Sequence, residues 1–319
     1  MVSCINEDMS RCKPKRLNMK IVYVHTDNCD PDFSPSGLDA LQTLHPGFWT
    51  APDSLCQEDN YVKSQFPTGM IFPFDLPRRN YIHLAIANCF FTPTTTADPS
   101  FTDRIAQYRV VPTTIAPDTM ASLPQPLYYG SYNITADTCS CKEVEYVVTL
   151  SPMVARMILS LRIPKEFTDV RATVSGTKAG FSPYDSTYLT NPRLITAIPT
   201  AAFTPEADTI TTASFYTFPI NDGARSSEAP KNTSSTASIP NNNTTPYQAP
   251  TTPTTWFISF FANLNGKTVM NRFTIDDATV YAGDVFRRTF RFIWDETVVD
   301  AGVEVDLDWK PGGSHQEEI

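Results

Sequence analysis

The sequence predicts an all-β protein of two β-sandwich domains in tandem, and three observations carry that prediction. The chain holds 27 prolines against 12 glycines, and proline removes a backbone donor and clashes with the preceding helical turn. Apolar and polar residues alternate over short runs rich in β-branched and aromatic side chains, which is the period of a half-buried strand. With 319 residues, 41% of them hydrophobic and 18% charged, the chain can bury more than one core, since single cores stop growing near roughly 250–300 residues.

The first strand is Leu17 to His25, where Met19, Ile21 and Tyr23 alternate with Asn18, Lys20 and Val22. After a loop, Gly37 to Leu44 reads as one short helix that His45-Pro46-Gly47 stops. Strands follow at Met70 to Phe74 and Tyr81 to Ala87. Thr92 to Ser122 is rich in proline and threonine and reads as loop; strands resume at Leu127 to Gly130 and Val144 to Leu150. Ser151-Pro152 interrupts the pattern, and the domain boundary is placed there: 1–16 an amino-terminal arm, 17–150 the first domain, 151–319 the second.

The second domain is expected to hold strands at Met153 to Ile163, Asp169 to Ser175, Ile195 to Phe203, Asp208 to Phe218, Thr255 to Leu264, Val269 to Ile275, Val285 to Trp294 and Val303 to Trp309. Short strands at this spacing, divided by turn residues, describe a sandwich. Residues 221–254 are mainly Ser, Thr, Asn and Pro and bury too little apolar surface to offset their ordering entropy. They are expected to form a mobile insertion between two strands.

The formal charge of -9 and pI near 4.9 provide no basic face to release counterions from a phosphate backbone, so nucleic acid is not an expected partner. The four histidines, His25, His45, His83 and His315, stand outside any zinc-protease or nucleophile-elbow pattern. The acidic pairs Asp30/Asp32, Asp276/Asp277 and Asp306/Asp308 lack the glycine and terminal glutamate of a calcium loop. Cys139-Ser140-Cys141 has no second pair to complete four zinc ligands. No catalytic residue, metal or cofactor is therefore expected. Cys29 and Cys56 lie in loops of the first domain and form a candidate disulfide pair, although spacing does not fix pairing; Cys89 follows an apolar strand and reads as a buried hydrophobe.

Met1-Val2-Ser3-Cys4 has the form of a lipoprotein cleavage site, with small residues before the cysteine and a polar stretch after it. That reading expects a charged and then apolar leader ahead of these residues. Read together, Ser3-Cys4-Ile5-Asn6-Glu7-Asp8-Met9-Ser10-Arg11-Cys12-Lys13-Pro14 and the strand Leu17 to His25 resemble the mature start of the FimB/Mfa-type fimbrial anchor lipoproteins of Gram-negative Bacteroidetes. The stretch Val147 to Met157 resembles that family's passage between domains, and Val303 to Gly313 its ending.

The resemblance implies two transthyretin-like β-sandwiches in tandem with long loops. It implies a non-catalytic cell-surface protein that anchors or assembles a fimbria (pilus), held in the outer membrane by a lipid on Cys4, with residues 5–16 as tether. Its partners would be fimbrial shaft subunits, joined by strand complementation, in which main-chain hydrogen bonds supply affinity and alternating side-chain pockets supply register. Interface candidates are the first strand of each domain and Val303 to Trp309. The alternative on the same architecture is a surface carbohydrate-binding or adhesive module, whose sugar-stacking rings would include Trp49, Tyr128 and Tyr129.

Overall fold

The computed structural model describes residues 16–306, apart from 27, 35, 51–53, 90–108, 137–142, 185, 192, 199–202, 204–209, 221–254, 277 and 293–302. The insertion at 221–254 lies outside the described residues, as do Cys4, Cys12, Cys139 and Cys141. Among the described residues the regular structure is strand, with 3-10 turns at Gly37–Ala40, Lys63–Gln65 and Thr68–Met70.

The first body is a sheet of eight strands: β1 (Arg16–His25), β2 (Thr43–Thr50), β3 (Ser54–Glu58), β4 (Tyr61–Val62), β5 (Ile71–Pro77), β6 (Tyr81–Ala87), β9 (Tyr128–Ile134) and β10 (Val144–Pro152). The order is β3-β2-β6-β9-β10-β1-β5, with β4 beside β2. β10 folds it into two layers. Over Val144 to Leu150 β10 runs parallel to β1, and at Ser151 and Pro152 it turns to pair with Tyr129 and Tyr128 of β9. The expected interruption at Ser151-Pro152 is thus a change of partner, not a strand end.

Between the layers Phe48 of β2 packs on Phe74 of β5, ring centroids 4.7 Å apart. Met19, Ile21 and Tyr23, all essentially buried, project inward at every second position of β1, as a period of two dictates.

The helix expected at Gly37 to Leu44 is one 3-10 turn, and His45-Pro46-Gly47 lies inside β2. Pro46 fits there because on one side β2 meets β4 only at Thr43 and Leu44, and β3 only from Gly47 onward. The donor that proline lacks falls in that gap, where a central strand tolerates it; its carbonyl accepts the Asp59 N–H at 3.1 Å.

The second body has two sheets. One contains β16 (Ile210–Thr217), β11 (Ala155–Arg162), β19 (Val285–Phe292) and β20 (Val303–Asp306) in that order. The other has order β18-β17-β12-β15-β8-β7, with β7 (Thr114–Ala116), β8 (Thr119–Ala121), β12 (Thr168–Ser175), β15 (Ile195–Ile198), β17 (Trp256–Leu264) and β18 (Lys267–Ile275). A hairpin of β13 (Gly180–Ser182) and β14 (Thr187–Leu189) stands apart. Trp256, Phe260, Phe286 and Phe290 fill the core between the two sheets. The tight β17–β18 turn uses Asn265-Gly266, both at positive φ, as a two-residue hairpin requires.

The stretch expected as loop, Thr92 to Ser122, contains β7 and β8, and they belong to the second body's sheet. β8 pairs in parallel with β15, Thr119 opposite Ile195. The boundary at 150/151 therefore divides the chain but not the sheets. Pattern reading missed this hairpin because two strands of three residues around Pro117-Asp118 carry too few positions to show a period.

Candidate functional site: sheet edges and the domain junction

For a protein expected to work by strand pairing, the informative features are which strand edges are paired and how the two bodies are joined. β1 lies between β5 and β10, and β11 between β16 and β19. The first strand of each domain, an interface candidate by sequence, is therefore an interior strand with both edges in use. β20 is an edge strand, paired antiparallel to β19 from Val303 opposite Phe292 to Asp306 opposite Thr289.

The remaining edges differ in character. β5 presents Pro73 and Pro77 at alternating exposed positions, and a strand accepts proline where the missing donor points away from its neighbour. Arg16 covers the same edge, its Nη2 donating to Asp75 O at 2.6 Å and its Nε to Asp75 Oδ2 at 2.7 Å. That edge is closed to an incoming strand. β16 is different: it pairs with β11 along its whole length, while on its other side the described residues place only Leu123, bridged to Tyr216. Ile210, at the far end, is 54% exposed.

The junction is built from three segments. The loop after β1 carries Asp30-Pro31-Asp32-Phe33 across to the second body. Asp30 N donates to Gly283 O at 2.9 Å, Arg156 Nη1 donates to Asp32 O at 2.6 Å, and Arg287 Nη2 donates to Asp32 Oδ2 at 2.6 Å. Phe33, fully buried, lies edge-on between Tyr128 and Tyr216, and Tyr216 Oη donates to Phe33 O at 3.2 Å. Gly283 sits at φ +82, where an L side chain is strained, and a Cβ there would press on the Cys29 Cβ at 3.0 Å.

The second segment, Arg109 to Leu123, exchanges backbone bonds with Phe181 through Val110 and with Tyr216 through Leu123. The third is the direct passage from β10 to β11 through Met153 and Val154, which the first core buries together with Phe181, Phe218 and Val285. An apolar core thus continues through the point where the chain passes between bodies.

The sequence-predicted site residues fall as follows. Cys4 lies outside the described residues. Cys29 and Cys56 are not joined, which corrects the candidate disulfide: Cys56 carries an exposed free thiol on the edge strand β3, 3.8 Å from Thr50 Oγ1, whereas Cys29 packs at the junction with its thiol donating to Thr26 O at 3.8 Å. Trp49 and Tyr128 are core residues, 3% and 0% exposed, and Tyr129 packs on Phe181 with its hydroxyl 3.0 Å from Ser186 Oγ. These three do not form an exposed stacking platform.

Among the described residues no group of three His, Cys, Asp or Glu is placed to hold a metal ion. His83 is wholly buried, and burial pushes its pKa down to about 4; burial lowers that of His45 as well. The buried His83 is a core hydrogen-bonding group between Tyr23 and Gly47 O.

No protein-family model matches the chain, and no curated protein matches it. Solved structures do. The fimbrial anchor protein Mfa2 from Porphyromonas gingivalis superposes with a TM-score of 0.53 at 11% identity, covering 91% of this chain and 95% of that one. A candidate adhesin from Bacteroides ovatus gives 0.54 at 11% identity over 87% and 90% of the two chains. A structure from Bacteroides thetaiotaomicron described as of candidate polysaccharide-binding proteins gives 0.54 at 11% over 91% and 96%. The chain shares the fold of these proteins along nearly its whole length, and the all-β sandwich architecture expected from sequence is the one found.

Proposed function

We propose that this chain is a non-catalytic cell-surface protein that anchors a fimbria or takes part in its assembly, tethered to the outer membrane through a lipid on Cys4. The observation that carries the proposal is the near-complete shared fold with a fimbrial anchor protein, over both bodies together. Each body is read as a transthyretin-like sandwich. The distribution of edges supports a strand-pairing role: β5 is closed by proline, whereas β16 stands at the end of its sheet's strand order, the position at which an extended segment of a shaft subunit can add. β20, held by four residue pairs, is the other place on that sheet where a partner strand can add.

Of the three rings named for the carbohydrate-binding alternative, Trp49 and Tyr128 are interior and Tyr129 is half-buried. The test is mass spectrometry of the mature amino terminus after expression in a Bacteroidetes host from the full upstream reading frame, beside Cys4→Ala. A diacylglyceryl-modified Cys4, with the variant shed from the outer membrane, is the expected result. An unmodified terminus on a freely soluble protein overturns the anchor and leaves a shaft or tip subunit, or a secreted binding module.

A further inference from the structure

We propose that the fold is a load-bearing element that resists tension along the chain, because in each body the strands that carry the pull are direct parallel neighbours and are loaded in shear. β1, the first strand after the amino-terminal arm, pairs in parallel with β10, Met19–His25 against Val144–Leu150. β10 passes through the buried Met153 and Val154 into β11. β11 in turn pairs in parallel with β19, Arg156–Arg162 against Val285–Arg291.

A pull that enters at the start of β1 is opposed at the end of β10. Parallel strands start on the same side, so these forces act at opposite ends of the pair and slide one strand along the other. The ladder bonds then share the load and fail together. In an antiparallel pair pulled at the same two chain positions, both forces act at one end, and the bonds fail one after another. β11 and β19 repeat the shear geometry, entered at the start of β11 and left at the end of β19. One connection, β10 to β11, links the two pairs in series.

The neighbouring strands reinforce this arrangement. β1 is also laddered to β5 from Arg16 to Val22, and β11 to β16 from Ala155 to Arg162. Withdrawing either loaded strand breaks two ladders. The bonds of Asp32 to Arg156 and Arg287, and of Tyr216 to Phe33 O, brace the connection between the bodies. β20 is the counterexample within the same sheet: it is antiparallel to β19, so a pull beyond Asp306 peels it before load reaches β19.

The direction of load, from a membrane-held amino terminus towards a fimbria, rests on the anchor reading; the resistance does not. The test is single-molecule force spectroscopy on the full chain between marker domains, in two geometries. The first pulls at the two termini. The second pulls between the amino terminus and an azide-bearing residue replacing the exposed Glu143 beside the start of β10, which unzips β1 from β10. The expected result is a small early event from β20 and two high-force events in the first geometry, with unfolding of the first body requiring severalfold less force in the second. The Glu143-substituted chain, which lacks the Lys20–Glu143 ion pair, is used in both geometries, so a difference in stability cannot produce that difference in force. Equal forces, or terminal pulling with only low-force events, overturn the proposal. An unmodified Cys4 in the lipidation experiment would remove the anchor reading and leave this result untouched.

Discussion

The Tyr23 hydroxyl donates to Nε2 of His83 at 2.9 Å across the first core, and the other ring nitrogen, Nδ1, donates to the carbonyl of Gly47 at 2.9 Å. A carbonyl only accepts, so Nδ1 carries the proton, and because burial lowers the pKa of the ring to about 4 the imidazole is neutral near pH 7 and Nε2 is left to accept from the hydroxyl. Phe48 stacks on the same imidazole at 4.6 Å. One histidine therefore ties β1, β2 and β6 together, provided that it stays uncharged.

Acid is expected to destabilise the first body through this group. The folded His83 has its pKa lowered to about 4 from 6.5, so the unfolded chain binds the proton more readily. The stabilisation is complete above pH 6.5 and is lost as pH falls towards 4, to the extent of roughly 3 kcal/mol. His45, shifted in the same direction, adds to the effect. Urea unfolding at pH 7.5 and pH 5 measures it, and His83→Leu should remove most of the difference while itself costing about 1–3 kcal/mol through the orphaned Tyr23 hydroxyl. An unchanged pH dependence in that variant would refute the assignment.

At the junction, packing should outweigh charge. Phe33→Ala empties a fully buried site between Tyr128 and Tyr216 and is expected to cost about 3–5 kcal/mol. Asp32→Ala removes an ion pair whose side chains are 63% and 31% exposed, leaves the Arg156 bond to the Asp32 carbonyl, and should cost at most about 1 kcal/mol. Calorimetry of the two variants decides. Comparable losses would mean that the ion pair, not the ring, holds the bodies together.

Gly180→Ala should release the segment that crosses between bodies. Its Cβ would stand 2.5 Å from the carbonyl of Val110, the group that accepts the Phe181 N–H at 2.9 Å. The expected signature is fast hydrogen exchange at Val110, Ala121 and Leu123, with the Trp256 core unaffected. The cost should be about 1–3 kcal/mol, as for other overpacked sites. Retained protection at Val110 would show that the contact relaxes without consequence.

Restoring donors to the β5 edge should create a new self-association. Pro73 and Pro77 stand where the strand's outer edge would otherwise present N–H groups, so Pro73→Thr with Pro77→Thr supplies a template for edge-to-edge pairing. Analytical ultracentrifugation of the double variant should show concentration-dependent dimers. A monomer at all concentrations would assign the protection of this edge to the Arg16 cover alone.

Much of the fold was legible because its long strands have one wet and one dry face. Tyr81 to Ala87 was expected and is β6; Leu17 to His25 and Thr255 to Leu264 match β1 and β17 to within a residue. Illegible segments fall into two kinds. β3, β4, β7, β8, β13 and β14 have at most five residues, too few for a period to stand out. β2 shows the second kind: Gly47, Phe48 and Trp49 are buried in succession, and Pro46 reads as a breaker until the gap in its ladder is seen. The candidate site was less legible than the fold. Whether a strand is interior or at an edge depends on its neighbours, so β1 and β11 looked like interface strands by chain position alone. The burial of Trp49 and Tyr128 is likewise set by tertiary packing that no local pattern records.

The hairpin of β7 and β8 also bears on the order in which the molecule can assemble. Residues 114–121 leave the ribosome well before β15, their parallel partner, so during synthesis this piece of sheet exists with nothing to pair against. The first body can close around Phe48 and Tyr23 meanwhile, but the hairpin must wait for Ile195 to arrive. Contacts of such long sequence separation form late and slowly, and a strand left waiting is open to pairing with another nascent chain. The segment that stitches the finished bodies together is, for that interval, an unpaired edge.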